Sequence, residues 1–218
     1  MIKHILFDCD GVLVDTEITA AEVMVESLNE LGVEITLDYY LNNLSGSTFT
    51  TILDTYLGNS FNGDERKQFL DEAENKTVKK VEAIRGVENV LRQLTLPKSI
   101  VSNSHIWHVE HVISRTGIDH FFTGHVFSSE LVGRPKPFPD VYNLATAKLE
   151  LLPDELIAIE DSSTGVQAAV AAQIPVIGFT GASHILPGHE QKLKDSGAIE
   201  IANTMDELME VLNSLIKR

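Results

Sequence analysis

Short apolar runs bounded by turn residues alternate with stretches of helical spacing along most of this chain. That alternation predicts parallel strands joined by helices. Strands are expected at Ile5–Asp8, Ser99–Ser102, His125–Ser128, Ile157–Glu160, Val176–Phe179 and Ile199–Ile201. Helices are expected near Val87–Leu94, Ile106–Thr116, Phe138–Lys148, Thr164–Ala172 and Glu190–Asp195, with a last amphipathic one from Met205 to Ile216. Pro153-Asp154-Glu155 and Ile174-Pro175 punctuate the loops before two of the strands.

Residues from Glu17 to Ala83 break this rhythm. Val23, Val25, Leu28 and Leu31 recur at helical spacing, and Gly32 suits a C-terminal cap. A second helix is expected from Gly46 to Tyr56 and a strongly charged third from Asp64 to Glu82, with no strand pattern anywhere in the stretch. The fold class read from this pattern is α/β. Residues 1–15 and 84–218 form an open, Rossmann-like parallel sheet core, and residues 16–83 an α-helical insertion.

A length of 218 residues suffices for such a core with an insertion. The formal net charge of −15 disfavours nucleic acid and anionic membrane surfaces as partners, since both need clustered Lys and Arg. An anionic metabolite then requires a metal ion or a local cation to offset the acidic field. One cysteine, Cys9, excludes an intramolecular disulfide. The beginning of the chain lacks signal-peptide character, and no apolar run approaches the length of a membrane span, so a cytoplasmic protein is expected. A monomer and a small homo-oligomer both fit.

The most informative segment is Asp8-Cys9-Asp10-Gly11-Val12-Leu13-Val14-Asp15, directly after Ile5-Leu6-Phe7. A buried strand delivers two carboxylates to its C-terminal end, where ligands bind in open parallel sheets, and Gly11 lets the backbone turn away. Two carboxylates so placed can divide the work between an attacking anion and a proton donor. Three other strand ends carry polar groups. Ser102-Asn103 offers a hydroxyl and backbone N–H groups suited to phosphoryl oxygens, or simply a helix cap. Lys136, flanked by Pro135 and Pro137, offers an ammonium in a stiff loop. Glu160-Asp161 places two acids side by side, a charge arrangement that a hard divalent cation relieves.

Taken in order, Asp8-x-Asp10-Gly-Val-Leu-Val-Asp15, Ser102-Asn103, Lys136-Pro-x-Pro-Asp140 and Glu160-Asp161-Ser162-x-x-Gly165 resemble the motifs of the haloacid dehalogenase-like hydrolases. The insertion after the first motif is similar to that of the subclass with a helical cap, a mobile element expected above the site. The resemblance implies that Asp8 attacks phosphorus and becomes an aspartyl-phosphate, and that Asp10 protonates the leaving oxygen and later deprotonates water. It implies that Ser102 and the Asn103 backbone hold phosphoryl oxygens and that Lys136 balances charge. It further implies that Mg²⁺ is held by Asp8, Asp10 (through its carbonyl), Asp161 and, nearby or through water, Glu160. The second aspartate, Asp10, favours phosphate-ester chemistry over carbon–halogen cleavage within the family. Gly46, Ser47 and Thr48, with Tyr39 and Phe49, are candidate substrate-binding residues of the cap.

The expected activity is a Mg²⁺-dependent phosphatase of small phosphorylated metabolites. Similarity of Val81–Gly86 through Pro97 and Val101-Ser102-Asn103 to 6-phosphogluconate phosphatases points to sugar or sugar-acid phosphates. A phosphosugar mutase of the β-phosphoglucomutase type is the alternative. The mutases carry a cap histidine and arginine, and Ala20 and Phe49 stand there in this chain, with Gly46 at the cap glycine. A catalytically silent phosphometabolite-binding protein is the alternative of another class.

Other residues read as structural. Cys9 alternates away from the two aspartates. His105, His108 and His111 share one helix but lack a zinc-ligand pattern, and exposed or capping roles are expected for them. The segment Gly178–His184 with His189 follows a strand without a nucleotide-binding signature, and a supporting role beside the site stays open for it.

Overall fold

The computed structural model describes residues 1–44, 49–58, 63–122 and 125–216. Contacts divide the chain into two compact units, Met1–Asp15 with Glu82–Arg218, and Thr16–Val81.

The larger unit is a six-stranded sheet in the order β3-β2-β1-β4-β5-β6, every neighbouring pair parallel. Its strands are β1 (His4–Phe7), β2 (Lys98–Ser102), β3 (Val126–Ser128), β4 (Leu156–Glu160), β5 (Val176–Phe179) and β6 (Glu200–Ala202). Each expected strand is present, with ends displaced by a residue or so. Fully buried, largely apolar runs such as His4–Phe7 and Leu156–Glu160 are what a sheet covered on both faces demands. Connection direction reverses at β1, which lies between β2 and β4, and such a switch point opens a crevice at the carboxyl ends of the strands. Register sets what reaches it: Phe7 pairs with both Ile100 and Ile159, so Asp8 comes level with Val101 and Glu160.

The helices of this unit are α5 (Val87–Gln93), α6 (Ile106–Arg115), α7 (Asp140–Leu149), α8 (Ser163–Ala171), α9 (His189–Asp195) and α10 (Met205–Ile216). A core of Leu6, Val101, Tyr142, Ala158, Val166 and Val176 joins sheet to helices. Helix α7 begins two residues later than expected, because Pro137 and Pro139 disfavour helical geometry in the residues before them.

The smaller unit is helical in its described part: α1 (Thr16–Glu30), α2 (Leu37–Asn43), α3 (Phe49–Leu57) and α4 (Gly63–Lys80). Its core gathers Ala21, Met24 and Leu28 of α1 with Tyr40, Ile52 and Leu53. Gly32 adopts φ 83° and Val33 N–H reaches back to Leu28 C=O at 3.0 Å, a left-handed cap ending α1 as the sequence suggests. The sequence reading missed α2. Its seven residues bury one side chain, Tyr40, too short an apolar pattern to register, although Thr36 caps it by accepting from Tyr39 N–H.

One buried histidine gives the larger unit a pH response. His4 lies at the start of β1 with Nε2 2.9 Å from Ser99 Oγ, and burial, then the charges of His125 and Lys98, hold its imidazole down to about 4. Between that value and the ordinary 6.5 the unfolded chain binds more protons than the folded one, so His4 subtracts stability as pH falls through this window. His4→Gln is expected to flatten the loss of urea midpoint between pH 6.5 and 4. Parallel wild-type and variant curves would show that His4 contributes nothing to it.

Candidate active site

Asp8 follows β1 as the strand leaves the sheet, its backbone N–H still bonded to Ile159 C=O at 3.0 Å. Its side chain meets Lys136, whose Nζ donates to Asp8 Oδ1 at 3.0 Å, to Glu160 Oε1 at 2.6 Å and to Val101 C=O at 2.8 Å. All three ammonium donors are thus used inside a dry site. The loop carrying Lys136 is clamped by Asn103, whose Oδ1 accepts from Lys136 N–H at 2.8 Å while its Nδ2 donates to Lys136 C=O at 3.3 Å. Arg134 closes the loop from the other side through Nε and Nη2 to Asp140 Oδ1 at 2.9 and 2.8 Å. The Asn103 side chain therefore serves the Lys136 loop, a use that the sequence reading did not foresee.

Negative charge gathers here. Asp8, Glu160 and Asp161 are buried and each offers an oxygen within 4.8 Å of the others, and the Lys136 ammonium reaches Asp8 and Glu160. Burial foremost, then Glu160, push the Asp8 carboxyl well above the ordinary carboxylate range, and Lys136 pulls the other way. Lys136 in turn is raised above its usual value, since Asp8 and Glu160 together outweigh the cost of burying it. Tyr142 on α7 donates its hydroxyl to Glu160 Oε1 at 2.5 Å, while Glu160 Oε2 is buried without a hydrogen-bond partner.

Two glycines make room for these acids. A Cβ on Gly165 would stand 1.8 Å from Glu160 Oε2. A Cβ on Gly11 would stand 1.8 Å from Asp161 Oδ2, and Gly11 also adopts φ 75°, which L side chains rarely tolerate. Three clustered hard oxygen donors and an orphaned buried carboxylate oxygen together fit a divalent cation such as Mg²⁺.

Asp10 also contacts the ends of β2 and α6. Its Oδ2 accepts from Ser104 Oγ at 2.7 Å, with Ser102 Oγ at 3.5 Å, and its Oδ1 lies 3.5 Å from His108 Nε2 on α6. Ser102 is buried at the end of β2 and its Oγ accepts from Ser104 N–H. On the other flank His184 Nε2 lies 3.5 Å from Asp161 Oδ2, and His189 Nε2 donates to Asp161 C=O at 2.5 Å. Asp15 accepts from Ser183 N–H, which ties the same loop down.

The fold thus brings Asp8, Asp10, Ser102, Asn103, Lys136, Glu160 and Asp161 to one sheet edge. Gly46, Ser47 and Thr48 lie outside the described residues. Sequence reasoning missed Tyr142 and Ser104, and the exposed or capping role expected for His108 is corrected, since its side chain is only 13% exposed with Nε2 near Asp10. Tyr142 reads as part of an apolar helix face, and nothing in a three-residue histidine spacing says which ring turns toward a carboxylate.

The chain matches the family model for haloacid dehalogenase-like hydrolases over residues 5–179. It is 26% identical over 190 residues to a 6-phosphogluconate phosphatase of Escherichia coli, covering 85% of this chain and 86% of that protein. Among solved structures, a haloacid dehalogenase-like protein of unknown function from Agrobacterium tumefaciens superposes with a TM-score of 0.84 at 32% identity, covering 99% of this chain and all of the other. A family hydrolase of Deinococcus radiodurans, crystallised with phosphate and sodium, gives 0.83 at 31% identity over 98% and 96%. With the family model spanning most of the chain and such relatives covering nearly all of it, this protein belongs to the haloacid dehalogenase-like hydrolases.

Proposed function

We propose that this hydrolase is a Mg²⁺-dependent phosphatase of small phosphorylated metabolites, sugar or sugar-acid phosphates, working through an aspartyl-phosphate on Asp8. The observation that carries the reading is Asp8 itself, a buried carboxylate held by Lys136 at the sheet edge with a second carboxyl two residues on. Support for the substrate class comes from the similarity to a 6-phosphogluconate phosphatase, and support for a phosphoryl group from the phosphate in the Deinococcus structure.

Asp8 attacks as an anion, which burial opposes and Lys136 favours. Its oxygen forms a bond to phosphorus as the ester oxygen departs with the bonding pair, and Asp10 gives that oxygen a proton. Water then attacks the aspartyl-phosphate, Asp10 recovers a proton from it, and inorganic phosphate leaves. Ser102 Oγ and the Asn103 backbone supply donors to the phosphoryl oxygens, and Lys136 offsets their growing charge. Asp8, Asp161, the Asp10 carbonyl and Glu160 would hold the Mg²⁺. That ion supplies charge neutralisation to the nucleophile and the transferring group.

Phosphate release from a panel of sugar, sugar-acid and nucleotide monophosphates tests this. Strong release with Mg²⁺, abolished by EDTA and regained on adding Mg²⁺, is expected, with sugar or sugar-acid phosphates turned over fastest. Isomerisation of a sugar phosphate under a bisphosphate primer, with little free phosphate, would establish a mutase instead. Binding without turnover would establish a silent binder.

A further inference from the structure

We infer that Asn103 acts in the reaction through its side chain, as a positioning residue that sets where the Lys136 ammonium stands beside Asp8. The inference rests on the phosphatase reading. In Pro135-Lys136-Pro137 neither proline carries an N–H, so Lys136 N–H is the one backbone donor of the stretch. Asn103 Oδ1 accepts from it at 2.8 Å, and Asn103 Nδ2 donates to the C=O of the same residue at 3.3 Å. The amide fits only this way round, since the N–H needs an acceptor and the C=O a donor. One side chain thus grips both backbone polar groups of one residue, which fixes its orientation as well as its place.

The far end of Lys136 returns to the same strand end. Nζ donates to Val101 C=O at 2.8 Å, so the residue reaches from Asn103 to Val101 with its ammonium against Asp8 and Glu160. Other bonds of the loop stay within Ser129–Asp140: Gly133 N–H to Ser129 C=O and Phe138 N–H to Pro135 C=O, both at 3.0 Å, and Arg134 to Asp140. They shape the loop without tying the Lys136 backbone to the sheet. The Asn103 amide makes that tie, and Ser129 Oγ braces Asn103 by donating to its C=O at 3.0 Å. Small displacements of a group that offsets charge in the transition state cost rate steeply.

Amide hydrogen exchange on the whole chain reads the grip without any substrate. Asn103→Ala is expected to speed exchange at Lys136 N–H by about tenfold or more, while Leu6 and Val101 in the sheet keep their wild-type rates. Asn103→Asp has the same shape and retains the acceptor, so it is expected to keep most of the protection, and it decides the matter if the alanine variant unfolds. Kinetics reads the consequence. On a sugar phosphate of the panel above, Asn103→Ala is expected to lower kcat by about tenfold or more with KM changed less than about threefold, because the charge that Lys136 offsets grows in the transition state. Ser129→Ala removes a hydrogen bond to Asn103 but leaves the amide on Lys136, and its kcat is expected within about twofold of the wild type's. Lys136 N–H exchanging at the wild-type rate in Asn103→Ala, or as an unprotected amide in Asn103→Asp, overturns the grip. A loss that falls mainly on KM, or that Ser129→Ala reproduces, overturns the positioning role. The phosphatase reading survives each of these results. A wild-type enzyme that releases phosphate from no sugar or sugar-acid ester overturns that reading and the positioning role with it, while exchange still shows whether the amide holds the loop.

Discussion

Asp8→Asn is expected to lower phosphatase turnover by at least about 10³-fold, the loss typical when a covalent nucleophile is removed. The amide is nearly the same size, so the change isolates charge and nucleophilicity from packing. It also removes one of three buried acids. Burial and Glu160 destabilise the charged form of Asp8, so its neutral replacement should leave the fold at least as stable in the absence of divalent cations. Lys136 keeps Glu160 and Val101 C=O as partners. The expected result is thus a dead enzyme whose thermal midpoint without Mg²⁺ equals or exceeds the wild type's, and whose gain in midpoint on adding Mg²⁺ is reduced. Turnover near the wild-type rate would rule out attack by Asp8, whatever the stability data say.

The sheet was legible because its strands are short apolar runs ending at turns, and the motifs at Asp8, Ser102 and Glu160 because each lies where such a run stops, whereas Lys136 stands in a loop well past the end of β3 at Ser128. Residues that act through their neighbours were not. Asn103 and Tyr142 matter through contacts 33 and 18 positions away, to the Lys136 backbone and to Glu160. No periodicity encodes such pairings. Helix α2 escaped notice for a local reason, since Leu37–Asn43 spans only two turns and buries just Tyr40. Gly11 and Gly165 were partly legible: the first as a turn residue, neither as the space under a carboxylate, because a clash at 1.8 Å with Asp161 or Glu160 exists only once the strands are paired.

Lys136→Met tests the charge arrangement rather than the chemistry alone. The methionine fills a similar apolar stem but removes the ammonium that faces Asp8 at 3.0 Å and Glu160 at 2.6 Å in a site almost closed to water. Removing one partner from a buried ionic group leaves the others uncompensated, which costs about 3–5 kcal/mol of folding stability. Tyr142 still donates to Glu160, but Asp8 loses its lysine partner. Turnover should fall with stability, because the variant also lacks the cation that favours the anionic nucleophile. The pH dependence distinguishes this from a packing defect. Without Lys136 the folded-state pKa of Asp8 rises further, so between the folded wild type's value and the folded variant's the variant binds more protons. The stability deficit should therefore shrink as pH falls through that window, whereas a cavity or a clash would cost the same throughout. It should shrink at neutral pH too when Asp8→Asn is added, since that removes one of the stranded anions. Urea midpoints for the single and double variants at pH 7 and pH 5 decide the matter. A deficit independent of both pH and Asp8 would mean that Lys136 holds the loop by shape rather than by charge.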